Sequence, residues 1–294
     1  MVVPPLDGSP RLVTPLLVIE IPWDPNIGHL GGLLLTWHGL FTAIGILIGV
    51  QVGLRMSRIM GVDEDDMYTV ALVAVPAGIV GARGLFVIEH WSTFSREPGR
   101  IIQITEGGIS VWGSLVVGVT AAVGFALWRR YQVRAGLDAA GFGMILGLAI
   151  GRLGDLVNGE HLSKTTDVPW AVVYTDPDSP AFAHSIAFGP HHPATTYEML
   201  AGFAIFALLF PLFFRWLYRY PGVTFAVAAG GYAVTRFLLT YVRVDSPDVA
   251  LGLRVPQVVA LLTLVVVGSF AAYWIRRGPV EVEAPRIPGR IPVR

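Results

Sequence analysis

Seven stretches of this chain are long and apolar enough to cross the hydrocarbon core of a bilayer, a task that takes about 20 residues as a helix. Three carry no formal charge, at 33–54, 107–128 and 255–275. A fourth, 195–216, has Glu198 near its start and Arg215 near its end. The other three, 67–89, 139–157 and 222–242, are each broken by one deep arginine: Arg83, Arg152 and Arg236. In lipid a spanning backbone must satisfy its own polar groups, so segments of this length are helices. The sequence therefore predicts an all-α integral membrane protein with seven transmembrane helices. Charged residues make up 14% of the chain, well below the roughly 25% of a soluble domain.

Three regions lie outside or between the spans. Residues 1–32 hold six prolines and read as an extracytoplasmic or interfacial segment. Residues 33–275 form the transmembrane domain. Within it, about 158–193 is rich in Pro, Asp, His and Ser and too long for a plain turn, so it reads as a small extracytoplasmic lobe. Residues 276–294 read as a disordered cytoplasmic tail. Seven crossings put the two ends on opposite sides. Twelve basic residues fall on the side of the C-terminus and six on the other, so the C-terminus is expected in the cytoplasm and the N-terminus and lobe outside. No signal-peptide pattern is expected at the N-terminus.

Charge at membrane depth is costly and marks function. Arg83, Arg152 and Arg236 each lie toward the outer end of an outward-running helix, which points to one anionic ligand shared among them. Tyr232, Arg236, Thr240 and Arg243 follow at steps of four, four and three and share a helix face. Arg152 and Asp155 are three apart and can pair, while Asn158, Glu160 and His161 add polar groups at the mouth. Gly107 and Gly108 allow close backbone approach or a broken helix start. All but one of the 21 basic residues are arginine, whose planar fork suits phosphate oxygens. The site thus reads as an outward-opening pocket for an anionic phospholipid headgroup.

Other chemistries find no support. Zero net charge argues against nucleic acid, and the absence of cysteine removes thiol catalysis and thiolate metal sites. The adjacent His191 and His192 are poorly spaced for one metal, and no phosphate-binding loop or nucleophile elbow is present, so neither metal nor cofactor is expected.

Six blocks resemble the bacterial prolipoprotein diacylglyceryl transferases, in that family's order. They are "WHGL" at 37–40, "GARGLFVIEH" at 81–90, "GGISVWGS" at 107–114, "GRLGDLVNGE" at 151–160, "HPATTYE" at 192–198 and "GYAVTRFLLTYVR" at 231–243. The resemblance implies a seven-helix enzyme of the bacterial inner membrane. It would move the diacylglyceryl group of phosphatidylglycerol to the lipobox cysteine of a prolipoprotein signal peptide, with glycerol phosphate leaving and a thioether forming. It implies headgroup binding by Arg152 and a second essential arginine at Arg236, with Asn158, Glu160, Tyr232 and Arg243 on matching positions; Arg83, as a deep arginine, and Gly108, by its backbone, complete the expected phosphatidylglycerol-binding set.

The chain departs from the family's usual residues at five positions. His38 replaces a tyrosine, Trp112 a histidine, Asp155 an asparagine, His191 an arginine and Thr240 a glutamate. With the usual histidine and glutamate gone, proton transfer is expected to fall to His38, Asp155 or Glu160. His38 is favoured, because a carboxylate beside Arg152 is a weaker base. A non-catalytic anionic-lipid binder and a lipid transporter or flippase are the competing readings. A binder needs the arginines but no base, and a transporter needs a second polar cluster on the inner side, which the sequence does not show.

Overall fold

The computed structural model describes residues 18–31, 33–103, 110–246, 248–250 and 252–281. The protein is mainly helical. Its long helices are α1 (Trp37–Ile59), α2 (Glu64–Glu89), α4 (Val111–Trp128), α5 (Val133–Asn158), α7 (Ala194–Arg215), α8 (Val223–Leu239) and α9 (Val255–Arg276). Two short helices, α3 (Trp91–Phe94) and α6 (Phe182–Phe188), lie in connections. Helices α1, α2, α5, α7 and α9 are long and apolar enough to span a membrane, whereas α8 and the apolar part of α4 are shorter.

Local chemistry sets the boundaries. The first span was expected from residue 33, but Leu33–Thr36 is a strand paired antiparallel with Asn26–Leu30. Thr36 then sits in an extended conformation and its hydroxyl accepts the Gly39 N–H at 3.1 Å, so the helix begins at Trp37. Asp63 caps α2 in the same way, so that helix begins at Glu64, three residues before the expected start at 67. α8 stops at Leu239, short of the expected 242. At its other end Asp138 of α5 accepts the Gly222 and Phe225 N–H groups at 2.7 and 2.8 Å, tying two helices at a helix N-terminus.

Association of helices in lipid relies on close van der Waals packing, because lipid tails are as apolar as the side chains. α1 and α5 run antiparallel with glycine against glycine. A Cβ added to Gly45 would lie 2.5 Å from the Gly147 carbonyl oxygen, one on Gly49 2.7 Å from that of Gly143, and one on Gly154 2.6 Å from the His38 Cα. Gly81 and Gly113 make a similar contact between α2 and α4. The consequence is a fixed register: the start of α1 lies against the end of α5. Gly147→Val is expected to force α1 and α5 apart and destabilise the protein by about 1–3 kcal/mol, the usual cost of overpacking. Gly124→Ala, where an added Cβ meets nothing within 4 Å, is the control. Thermal unfolding of the two purified variants in detergent tests this, and equal melting temperatures would contradict it.

Residues 159–193 form a compact appendage rather than a loop. Ile19–Ile21 pairs in parallel with Val172–Tyr174, and Ile21, Val172, Tyr174 and Ala181 make a small core of their own. Lys164 N–H donates to the Val242 carbonyl and Val244 N–H to that of Leu162. The appendage is thereby stitched to the segment after α8.

Candidate active site

The α1–α5 register brings together residues from four parts of the chain. His38 opens α1, and Arg152, Asp155 and Asn158 recur every three residues along the last turns of α5. Glu198 lies in the first turns of α7, Tyr232 and Arg236 on α8, and Arg243 and Asp245 just beyond it.

Glu198, 2% exposed, is the hub. Arg152 Nη2 donates to its Oε1 at 2.8 Å and the Tyr232 hydroxyl donates to the same oxygen at 2.6 Å. Arg236 Nη1 donates to Oε2 at 3.3 Å, and Arg243 Nη1 stands 3.8 Å from that atom. A second carboxylate, Asp155, is divided between two partners. Its Oδ2 accepts from Arg152 Nη1, and its Oδ1 lies 2.5 Å from His38 Nδ1. The Asn158 side-chain oxygen accepts the His38 backbone N–H at 3.3 Å. A third, Asp245, takes Arg243 bidentately, at 3.0 Å from Nε and 2.5 Å from Nη2. Burial opposes ionisation of Asp245, but its contacts with His161 and Arg243 hold its carboxyl well below the usual range.

Three guanidinium groups thus face three carboxylates in a site closed off from most solvent. Pairing is what makes buried charge tolerable. One donor remains unmatched: Arg243 Nη1 is buried and has no hydrogen-bond partner among the described residues. A buried charged donor left open is costly, and an anion's oxygen would satisfy it.

Not every residue singled out in the sequence joins this network. Arg83 is buried, but the hydrogen bonds described for it run to the carbonyls of Ile101 and Arg100, at 2.9 and 2.5 Å. Its guanidinium also lies over Phe94 and Phe86. Glu160 follows α5, partly exposed, with its N–H donating to the Asp155 carbonyl at 3.0 Å. Gly108 lies outside the described residues. Thr240 cannot replace a carboxylate, because its hydroxyl donates back to the Arg236 carbonyl at 2.6 Å.

Three participants were undervalued in the sequence. Glu198 could have been found as a lone acid inside an apolar span, which must be paired. Asp245 and His161 carry no such signal, since both lie in polar connections, Asp245 just beyond α8 and His161 where the appendage begins.

Comparison with known proteins adds an independent line. The family model for prolipoprotein diacylglyceryl transferase matches residues 25–274. A phosphatidylglycerol–prolipoprotein diacylglyceryl transferase of Thermosynechococcus vestitus is 32% identical over 83% of this chain and 90% of its own length. The like-named protein of Nostoc sp. is 31% identical over 93% and 98%, and that of Clostridioides difficile 29% identical over 82% and 91%. Taken with the helical membrane fold and the arginine–carboxylate site, these matches place the chain in the prolipoprotein diacylglyceryl transferase family.

Proposed function

We propose that this chain transfers the diacylglyceryl group of phosphatidylglycerol to the cysteine thiol of a prolipoprotein signal peptide, on the outer side of a bacterial cytoplasmic membrane. The thiol sulfur attacks the glyceryl carbon that bears the phosphate ester. A carbon–sulfur bond forms, the carbon–oxygen bond breaks, and glycerol phosphate departs with the electron pair. The thiol proton must go to a base, and negative charge grows on the departing phosphate.

The observation that carries this reading is the open buried donor on Arg243 beside the guanidinium groups of Arg152 and Arg236, a concentration of positive charge suited to phosphate. In this reading Arg152 and Arg243 bind the headgroup and Arg236 stabilises the leaving phosphate. Asn158 and Tyr232 line the site beside them. His38 is the base. Its proton sits on Nδ1, held by Asp155, so the lone pair on Nε2 is left for the thiol. His38 is 37% exposed at its side chain while Asp155 is 2% exposed, so the imidazole faces the opening and the carboxylate does not. Asp155 therefore serves as the orienting partner rather than as a rival base. Glu160 adds negative charge at the same mouth.

Seven helices cross the membrane in this reading, the shorter α4 and α8 included. Residues 1–32 and the appendage of about 158–193 lie outside, and the 276–294 tail, of which 282–294 fall outside the described residues, is cytoplasmic. The excess of arginine on the side of the C-terminus supports that orientation. The chain has no native cysteine, so labelling is clean. Asp178→Cys, at an exposed position of the appendage, is expected to react with a membrane-impermeant maleimide in intact cells, and Arg277→Cys only after lysis. The opposite pattern would invert the topology.

The direct test uses purified protein, phosphatidylglycerol vesicles and a lipobox peptide. The peptide is expected to gain the mass of a diacylglyceryl group, with one glycerol phosphate released per thioether. Lipid binding without either product would leave a binder.

A further inference from the structure

His161 stands where the appendage leaves α5, and it touches both of the ion pairs that flank the headgroup site. Its backbone has φ +69°, in the left-handed region that few non-glycine residues adopt. Left-handed backbone costs energy and persists where the surroundings hold it. Here the ring is what is held. Nδ1 lies 2.6 Å from Arg243 Nη2 and 3.3 Å from Asp245 Oδ2. Nε2 lies 3.2 Å from Arg152 Nη1 and 3.6 Å from Asp155 Oδ2. Among the described residues these four groups, from α5 and from the segment after α8, are the charged ones facing the ring.

A guanidinium donates and never accepts. The 2.6 Å contact with Arg243 is therefore a hydrogen bond only when Nδ1 carries a lone pair and the proton is on Nε2, beside Asp155; the 3.2 Å approach of Arg152 Nη1 to Nε2 is then a contact without a hydrogen bond. We infer that His161, as a neutral imidazole, is the positioning residue that aims Arg243 so that Nη1, which has no hydrogen-bond partner among the described residues, is offered to the phosphate. Asp245 fixes two of the Arg243 donors, and His161 shares one of them from the other side. Together they leave Nη1 as the donor free for ligand.

Protonation would undo this aim. A second N–H on the ring would face the Arg243 N–H, and the imidazolium would turn to Asp245 instead. Asp155 and Asp245 offset the added charge, so the change is in geometry. Burial, together with the nearby guanidinium groups, holds the imidazole below the ordinary histidine range despite the neighbouring carboxylates of Asp245 and Asp155. The site is thus intact at neutral pH and weakens only as pH falls through that lowered value.

The inference rests on the headgroup reading above, and its test separates the two. Binding of dioctanoyl phosphatidylglycerol to the purified full-length protein is measured by calorimetry at about pH 7.5 and about pH 5, with transfer followed in parallel. His161→Asn keeps an acceptor near the Nδ1 position, cannot take a proton there and tolerates positive φ. It is expected to bind like wild type at the higher pH and to lose the weakening that wild type shows at the lower. His161→Gly accepts the backbone but removes the acceptor, and is expected to bind about tenfold more weakly at the higher pH, the size of one charge-assisted hydrogen bond. In transfer assays that loss is expected in KM, with kcat within about twofold. If the Asn variant weakens in acid as wild type does, or the Gly variant binds as tightly as wild type, the inference is overturned. Wild type that binds as described but forms no thioether would sink the transferase reading and leave this one standing.

Discussion

Arg152→Ala is expected to lower transfer by at least about a thousandfold, because one substitution removes a buried positive charge from the phosphate site and takes a partner from two buried carboxylates. Arg152 donates to Asp155, Glu198 and Tyr232. Truncating one partner of a buried ion pair costs about 3–5 kcal/mol, and each lost charge-assisted hydrogen bond to phosphate about 1.5–3 kcal/mol. Part of the damage should therefore appear as lost stability. Arg152→Lys keeps the charge without the fork and is expected to fall between wild type and Ala in both transfer and melting temperature. Thermal unfolding beside the transfer assay separates the two effects. Folded Arg152→Ala with wild-type turnover would remove Arg152 from the mechanism.

His38→Gln is expected to cost about a hundredfold to ten-thousandfold in kcat, the range assigned to general acid–base catalysis, with little change in KM for the lipid. Gln retains a hydrogen bond to Asp155 but cannot accept the thiol proton. Its residual rate should rise with pH as the substrate thiol ionises by itself, whereas wild type should level off once the base is neutral. Asp155→Asn should also slow kcat, by a smaller factor, because the tautomer is no longer fixed. A His38→Gln rate equal to wild type across the pH range would exclude His38 as the base.

Much of the architecture was legible because lipid imposes a simple rule. Apolar segments near 20 residues long had to be helices, and each of the seven stretches contains one. The boundaries were less legible, since they depend on single caps such as Thr36 and Asp63 rather than on hydropathy. Arg152, Asp155, Tyr232 and Arg236 were legible as costly polar groups in greasy helices, and the structure brings them together. The Asp155–His38 contact was not, because 117 positions separate the partners and only the glycine seam between α1 and α5 joins them. Arg83 resembles the other deep arginines in sequence, yet its described bonds run to the chain just beyond α2. Depth in the membrane can be estimated from a single segment, but azimuth around the bundle depends on the neighbours.

The glycine seam also decides how this enzyme can vary. With carbonyls of α1 and α5 nearly touching glycine carbons, the seam acts as a gauge block between the start of one helix and the end of the other. The imidazole-to-guanidinium spacing is then an outcome of backbone shape and owes little to bulky side chains that a new lipid environment would repack. Helices α2 and α4 hold mainly to each other through their own glycine contact. Substitutions on that outer pair can adjust the fit to thicker or thinner bilayers, or to longer acyl tails, while the reactive ends keep their calibration.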